Sequence, residues 1–114
     1  DGSSNEAYFK GCTVKDFNKC AVLVREGVKS FTFIDGQIIG RGATDIIAQN
    51  GIQISCADYE ISGNTISDIE YTGEDSACGI LLASHGAVTY EENDVTALEG
   101  ANQFVDCEMN CSKL

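Results

Sequence analysis

Ile61-Ser62-Gly63-Asn64-Thr65-Ile66-Ser67-Asp68-Ile69 decides the fold, because Phe9-Lys10-Gly11-Cys12-Thr13-Val14-Lys15-Asp16-Phe17 lies over it with apolar, glycine and aspartate positions coinciding. The same frame fits Phe33 through Ile38 and Tyr90 through Val95. Copies therefore begin at Phe9, Phe33, Ile61 and Tyr90, separated by 24, 28 and 29 residues.

A second motif interleaves with the first: Ala21-Val22-Leu23-Val24, Gly51-Ile52-Gln53-Ile54, Gly79-Ile80-Leu81-Leu82 and Ala101-Asn102-Gln103-Phe104. Each is a short aliphatic run led by a small residue and followed by turn formers, the pattern of a strand. Four copies of each motif predict eight strands. Motifs recurring at this spacing suit a solenoid better than a meander of hairpins, since every copy then stacks on its own equivalent. No heptad or long 3.6-residue stripe points to a helix, and the chain has no proline to interrupt a ladder.

The expected fold is all-β, a parallel β-solenoid of about four coils with uncapped ends, forming a single domain over residues 1–114. Like residues should form columns. Val24, Ile54, Leu82 and Phe104 are expected inside from one strand, and Phe9, Phe33, Ile61 and Tyr90 from the other. Phe31 and Tyr59 share the inward parity. Outward positions are Leu23, Gln53, Leu81 and Gln103, then Lys10, Ile34, Ser62 and Glu91, then Thr13, Gln37, Thr65 and Asp94. Gly36, Asn64 and Asn93 mark the bend, where a positive φ angle or an amide ladder is useful. The repeat carries an extra apolar position between Gly36 and Ile39, where a one-residue shift would exchange inside and outside.

Around Gly51-Ile52-Gln53-Ile54 followed by Ile61-Ser62-Gly63-Asn64-Thr65-Ile66, the chain resembles the right-handed parallel β-helix proteins, the pectin-lyase-like group, over residues 8 to about 105. That resemblance implies the fold and leaves the activity open, since the group includes lyases, epimerases, phage spikes and surface proteins. Lyases of the group carry clustered carboxylates that hold Ca²⁺ beside an arginine or lysine base. Here the outward columns stack no acids, and the two arginines, Arg25 and Arg41, fall in turns before any acid cluster. The expectation is no enzyme, no catalytic residue and no cofactor. Glu70, Glu74 and Asp75, and Glu91, Glu92 and Asp94, read as solvated acidic turns without the spacing of a dedicated metal loop. His85, between Ser84 and Gly86, reads as an exposed turn residue, and the sequon at Asn110-Cys111-Ser112 as chance.

Six cysteines in 114 residues (Cys12, Cys20, Cys56, Cys78, Cys107 and Cys111) are candidate disulfide or seam residues, with connectivity open. Zinc is disfavoured by the lack of any Cys-x-x-Cys pair and by the single histidine. The disulfide reading implies an extracellular or periplasmic compartment, and no apolar run is long enough for a transmembrane segment. The polar start Asp1-Gly2-Ser3-Ser4-Asn5-Glu6 is unlike a signal peptide. A net charge of −11 opposes nucleic-acid binding. Charge is also polarised: residues 1–41 carry six basic residues and five acids, residues 42–114 one basic residue and thirteen acids.

Open solenoid ends are templates for further strands. With complementary half-coils and a near-neutral N-terminal part facing a strongly acidic C-terminal one, the chain is expected to self-assemble head to tail into an extracellular sheath, ring or fibre. Cell-envelope components are the further partners. A disulfide between Cys12 and Cys107 or Cys111 of neighbouring copies is one expected seam. In size, acidity, cysteine content and stackable repeats the chain is similar to the amyloid-like sheath proteins of methanogenic archaea, a resemblance that implies rings of β-arches forming a tube around cells. The alternative is a carbohydrate-active or carbohydrate-binding β-helix module of a larger surface protein. A phage or toxin spike segment is a third.

Overall fold

The computed structural model describes residues 6–45, 49–74 and 76–114. Eleven strands and one helix follow in the order β1 (Glu6–Lys10), β2 (Thr13–Lys15), β3 (Cys20–Val24), β4 (Ser30–Ile34), β5 (Gln37–Gly42), β6 (Asn50–Ile54), β7 (Asp58–Ser62), β8 (Thr65–Ile69), β9 (Cys78–Leu82), α1 (Glu92–Ala101), β10 (Gln103–Cys107) and β11 (Met109–Lys113). All pairing between strands is parallel, as expected. The strands form three sheets: β1-β4-β7 (sheet A), β2-β5-β8-β10 (sheet B) and β3-β6-β9-β11 (sheet C). The molecule is a parallel β-solenoid of about four coils.

The first three coils have three strands each and the fourth has two and a helix, where the sequence predicts two strands per coil, giving eleven instead of eight. The frame from Phe9 to Phe17 joins the end of one strand to the next across a two-residue bend at Gly11-Cys12, too short to register as a break in periodicity. At each such bend the first residue has a left-handed backbone, with φ of 68° at Gly11, 54° at Asp35 and 69° at Gly63. Glycine and aspartate are residue types that tolerate that region.

The inward columns define the core. Sheet A stacks Phe9, Phe33 and Ile61, and beside them Ala7, Phe31 and Tyr59. Sheet B stacks Val14, Ile38, Ile66 and Phe104. Sheet C stacks Val22, Ile52, Ile80 and Cys111, and beside them Val24, Ile54, Leu82 and Lys113. Phe33, Ile61, Ile54 and Leu82 are buried as predicted. Phe9, Phe31 and Phe33 pack as an aromatic group, with ring centroids 6.0–6.4 Å apart. The irregularity expected at Gly36–Ile39 lies slightly downstream. The sheet register holds through Ile39 and shifts before Gly42.

The fourth coil departs most from expectation. Tyr90–Val95 is not a strand, because α1 begins at Glu92. Its start is fixed by Asp94, whose Oδ2 accepts the Glu91 amide at 2.8 Å, and acids occupy its first turn, where they complement the helix dipole. Only Val95 and Leu98 are buried along it, so its apolar stripe is too short to appear as a period. Ala101–Phe104 does not continue sheet C: Phe104 stacks on Ile66 in sheet B, while Lys113 follows Leu82. Asn102 replaces Asn93 at the bend, and Gln103 replaces Asp94 after Thr13, Gln37 and Thr65. Among the described residues β10 and β11 remain unpaired on one side, the uncapped end expected for sheets B and C, whereas in the fourth coil α1 stands where a further strand of sheet A was predicted.

Candidate assembly surfaces at the two ends

At the N-terminal end, β1, β2 and β3 each have one strand neighbour among the described residues. With no strand beyond them, inward residues stay partly open: Phe9 is 40% exposed, whereas Phe33, its partner in the next coil, is 1% exposed. A cavity of about 200 Å³ opens here between sheets A and C, lined by Ala7, Phe9, Val22, Leu23, Val24 and Phe31 among others. Tyr8 and Leu23 add exposed apolar surface.

At the C-terminal end the exposed large apolar residues are Val105, Met109 and Leu114. All six large apolar residues exposed among the described ones thus belong to the first or last coil. Charge divides the same way. Residues 6–29 carry five basic and three acidic side chains, residues 91–114 one basic and six acidic. Among the described residues the two ends are therefore apolar at their edges and opposite in charge balance.

Helix α1 is latched to the preceding coil. Tyr59 Oη donates to Asp94 Oδ1 at 3.1 Å, and the Tyr59 ring meets Tyr90 edge-on at 6.1 Å. Tyr90 Oη donates to the Cys56 carbonyl at 2.7 Å. Burial is the main cause that raises both phenols, Tyr90 to about 12, and the Asp94 carboxylate adds to it in each case.

The bend between sheets A and B holds a buried amide ladder. Asn64 Oδ1 accepts the Gly36 amide at 2.8 Å, and Asn102 Oδ1 accepts the Asn64 amide at 3.1 Å and its side-chain Nδ2 at 2.9 Å. Asn102 Nδ2 donates to Ile61 O and Leu98 O, joining the ladder to α1. Gln49, fully buried, similarly donates from Nε2 to Gly42 O and Glu70 O. Sequence reading found Asn64 but missed Asn102 and Gln49; their shared signal is an amide side chain at a strand border.

The other candidate residues are dispersed. Among the described residues no group of three or more His, Cys, Asp or Glu side chains is placed to hold a metal ion. Glu70 and Glu74 belong to the turn after β8, and Asp75 lies outside the described residues. Glu108 organises this loop, accepting the Tyr71 and Ala77 amides on Oε1 at 3.1 and 3.2 Å. Glu91 and Asp94 start α1, and Glu92 lies 3.9 Å from the Lys113 ammonium. His85 and Glu26 form an exposed pair at 3.8 Å. They line a shallow hollow of about 310 Å³ with Leu23, Arg25, Gln53 and Ser55. Arg41 is in β5, away from this hollow.

All six cysteines are free thiols, so the structure contains none of the disulfides expected from their number. Cys56, Cys78 and Cys111 are buried, and Cys12, Cys20 and Cys107 partly so. Burial drives Cys78 and Cys111 up to about 12, and raises Cys20 and Cys107 as well. A raised thiol pKa leaves less of the reactive thiolate at neutral pH at these four positions.

No family model, no curated protein and no solved structure matches this chain.

Proposed function

We propose that this chain is a non-enzymatic structural unit that stacks end to end with further copies into an extracellular sheath, ring or fibre at the cell surface. The observation that carries this reading is the confinement of every exposed large apolar residue, among those described, to the first and last coils. The described residues of the middle coils include none. A monomeric solenoid ordinarily covers or charges such ends to prevent addition. Edges of β2, β3, β10 and β11 that are unpaired among the described residues, and the opposite charge balance of the two ends, support the same reading. The resemblance to archaeal sheath proteins supports the location.

Light scattering across a salt series, followed by negative-stain electron microscopy, tests it. Ordered rings, tubes or fibres at low salt, receding as salt screens the unlike ends, are the expected result. A monomer at every concentration and salt level would remove the proposal. The second reading, a carbohydrate-binding module, draws on the hollow in which Arg25, Glu26, Gln53, Ser55 and His85 surround the exposed Leu23. It predicts saturable binding of an oligosaccharide by calorimetry, lost in Arg25→Ala with Gln53→Ala.

A further inference from the structure

We infer that the contact between copies is an in-register seam through two of the three sheets, with β2 of one copy pairing with β10 of its neighbour and β3 pairing with β11. This inference rests on the end-to-end reading above and specifies its partner surface and register.

The columns dictate the register. Thr13, Gln37, Thr65 and Gln103 occupy successive rungs of sheet B, so Thr13 of the added copy takes the rung beyond Gln103. Cys20, Asn50, Cys78 and Met109 do the same in sheet C, placing Cys20 beyond Met109. In that register Val14 covers Phe104 and Val22 covers Cys111, so apolar meets apolar on the inward face. A slip of one residue would turn Val14 and Val22 outward.

Sheet A is different. Helix α1 occupies the fourth coil where a further strand of this sheet would lie, so β1 of the added copy meets a helix instead of a strand edge. The helix carries Glu92, Asp94 and Glu99, and the arriving first coil carries Lys10, Lys15, Lys19, Arg25 and Lys29. Contact there is therefore without backbone pairing, and charge complements it only through the coil as a whole, five basic and three acidic side chains over residues 6–29 arriving at an acidic last coil. The seam also disfavours the expected disulfide. Cys12 precedes Thr13 and would lie over Asn102, five residues from Cys107, or roughly 16 Å along a strand, well beyond the ~7 Å that a disulfide spans.

Paired cysteine substitution tests the register. Thr13 and Gln103 are both exposed and are separated within one copy by β5 and β8. Three strand spacings, roughly 14 Å, forbid an intrachain disulfide between them. Across the proposed seam they are nearest neighbours at ~4.8 Å, within disulfide reach. The variant Thr13→Cys with Gln103→Cys, oxidised while assembled, should give a ladder of covalent oligomers on non-reducing electrophoresis. About tenfold less should form in wild type and in Thr13→Cys with Val105→Cys, whose partner sits two residues further along. Assembly by light scattering without this ladder, or an equal ladder from the shifted pair, would overturn the register while leaving end-to-end stacking intact. Absence of assembly in wild type would overturn both. Fibre diffraction of the unmodified protein gives a check that needs no variant. Four coils per copy, with sheet A interrupted once in each, require an axial repeat of about 19 Å, and its absence from ordered fibres would also sink the two-sheet seam.

Discussion

Asn64 and Asn102 are joined by two hydrogen bonds into one carbonyl oxygen, Asn102 Oδ1 accepting from the Asn64 amide at 3.1 Å and from its Nδ2 at 2.9 Å. The pair ties the third coil to the fourth at the bend where the chain passes between sheets. Both side chains are buried, at 1% and 9% exposure.

Replacing Asn64 with alanine leaves the Gly36 amide and the Phe33 carbonyl without the partners that Asn64 supplies. A buried orphan costs about 1–3 kcal/mol, so Asn64→Ala should destabilise by about 2–4 kcal/mol in urea denaturation. Asn64→Asp keeps the acceptor for Gly36 but loses the donor, and buries a carboxylate beside Asn102 Oδ1. It should do no better at neutral pH. A loss below about 0.5 kcal/mol for Asn64→Ala would mean the ladder is incidental.

Two glycines should respond oppositely to alanine. A Cβ on Gly51 would lie 2.4 Å from the Gly79 carbonyl oxygen, a backbone atom in the next coil, so the coils must part to admit it. Gly51→Ala should cost about 3 kcal/mol. A Cβ on Gly100, in α1, would have nothing within 4 Å, and Gly100→Ala should raise stability by about 0.5–1 kcal/mol through helix propensity. Thermal melts of the two variants provide the comparison.

The buried thiols make stability fall in alkali. Cys78 and Cys111 are raised from 9.0 to about 12, foremost by burial and, for Cys111, next by Cys78 and Glu99. Below pH 9 both are neutral whether the chain is folded or unfolded, and the folded state is not penalised. Between pH 9 and about 12 only the unfolded chain ionises, so stability falls as pH rises through that window. At pH 10.5 the loss is on the order of 2 kcal/mol per thiol. Cys78→Ala with Cys111→Ala should show a flatter alkaline profile than wild type in denaturant titrations at about pH 8 and 10.5, and an equal slope would refute the assignment.

Tyr59→Phe isolates the helix latch, because it keeps the ring against Tyr90 and removes only the hydroxyl that donates to Asp94. The expected cost is about 1 kcal/mol. Amide hydrogen exchange should quicken in Glu92–Ala101 before it does in β8 or β9; uniform quickening would show that the helix does not open separately.

Local pattern was sufficient for the middle of the molecule. Phe33 stacking on Ile61, and Val24, Ile54 and Leu82 sharing a column, follow from strands whose side chains alternate and whose repeats match. The open ends of sheets B and C were also legible as complementary half-coils, whereas the 40% exposure of inward Phe9 became visible only in the structure. The fourth coil was not. Tyr90–Val95 matches the strand frame residue by residue, yet Asp94 caps a helix and Tyr59 holds it, and that choice depends on a contact 35 residues away.

The cysteines show the same division. Their number suggested cross-links, but whether two thiols meet depends on rung and facing. Cys20 and Cys78 share a column with Asn50 between them, while Cys107 follows Ile69 in sheet B and Cys111 follows Ile80 in sheet C. What the sequence by itself determined was the repeat, the parallel stacking, the inward and outward faces of the first three coils and the opposed charge of the two ends, all consequences of spacing and side-chain type. Only the tertiary structure decided that each coil has three sides, that Asn102 completes the ladder and that a helix stands at the last rung of sheet A. Those outcomes depend on which distant backbone groups are left needing a partner, and no local window of sequence contains that information.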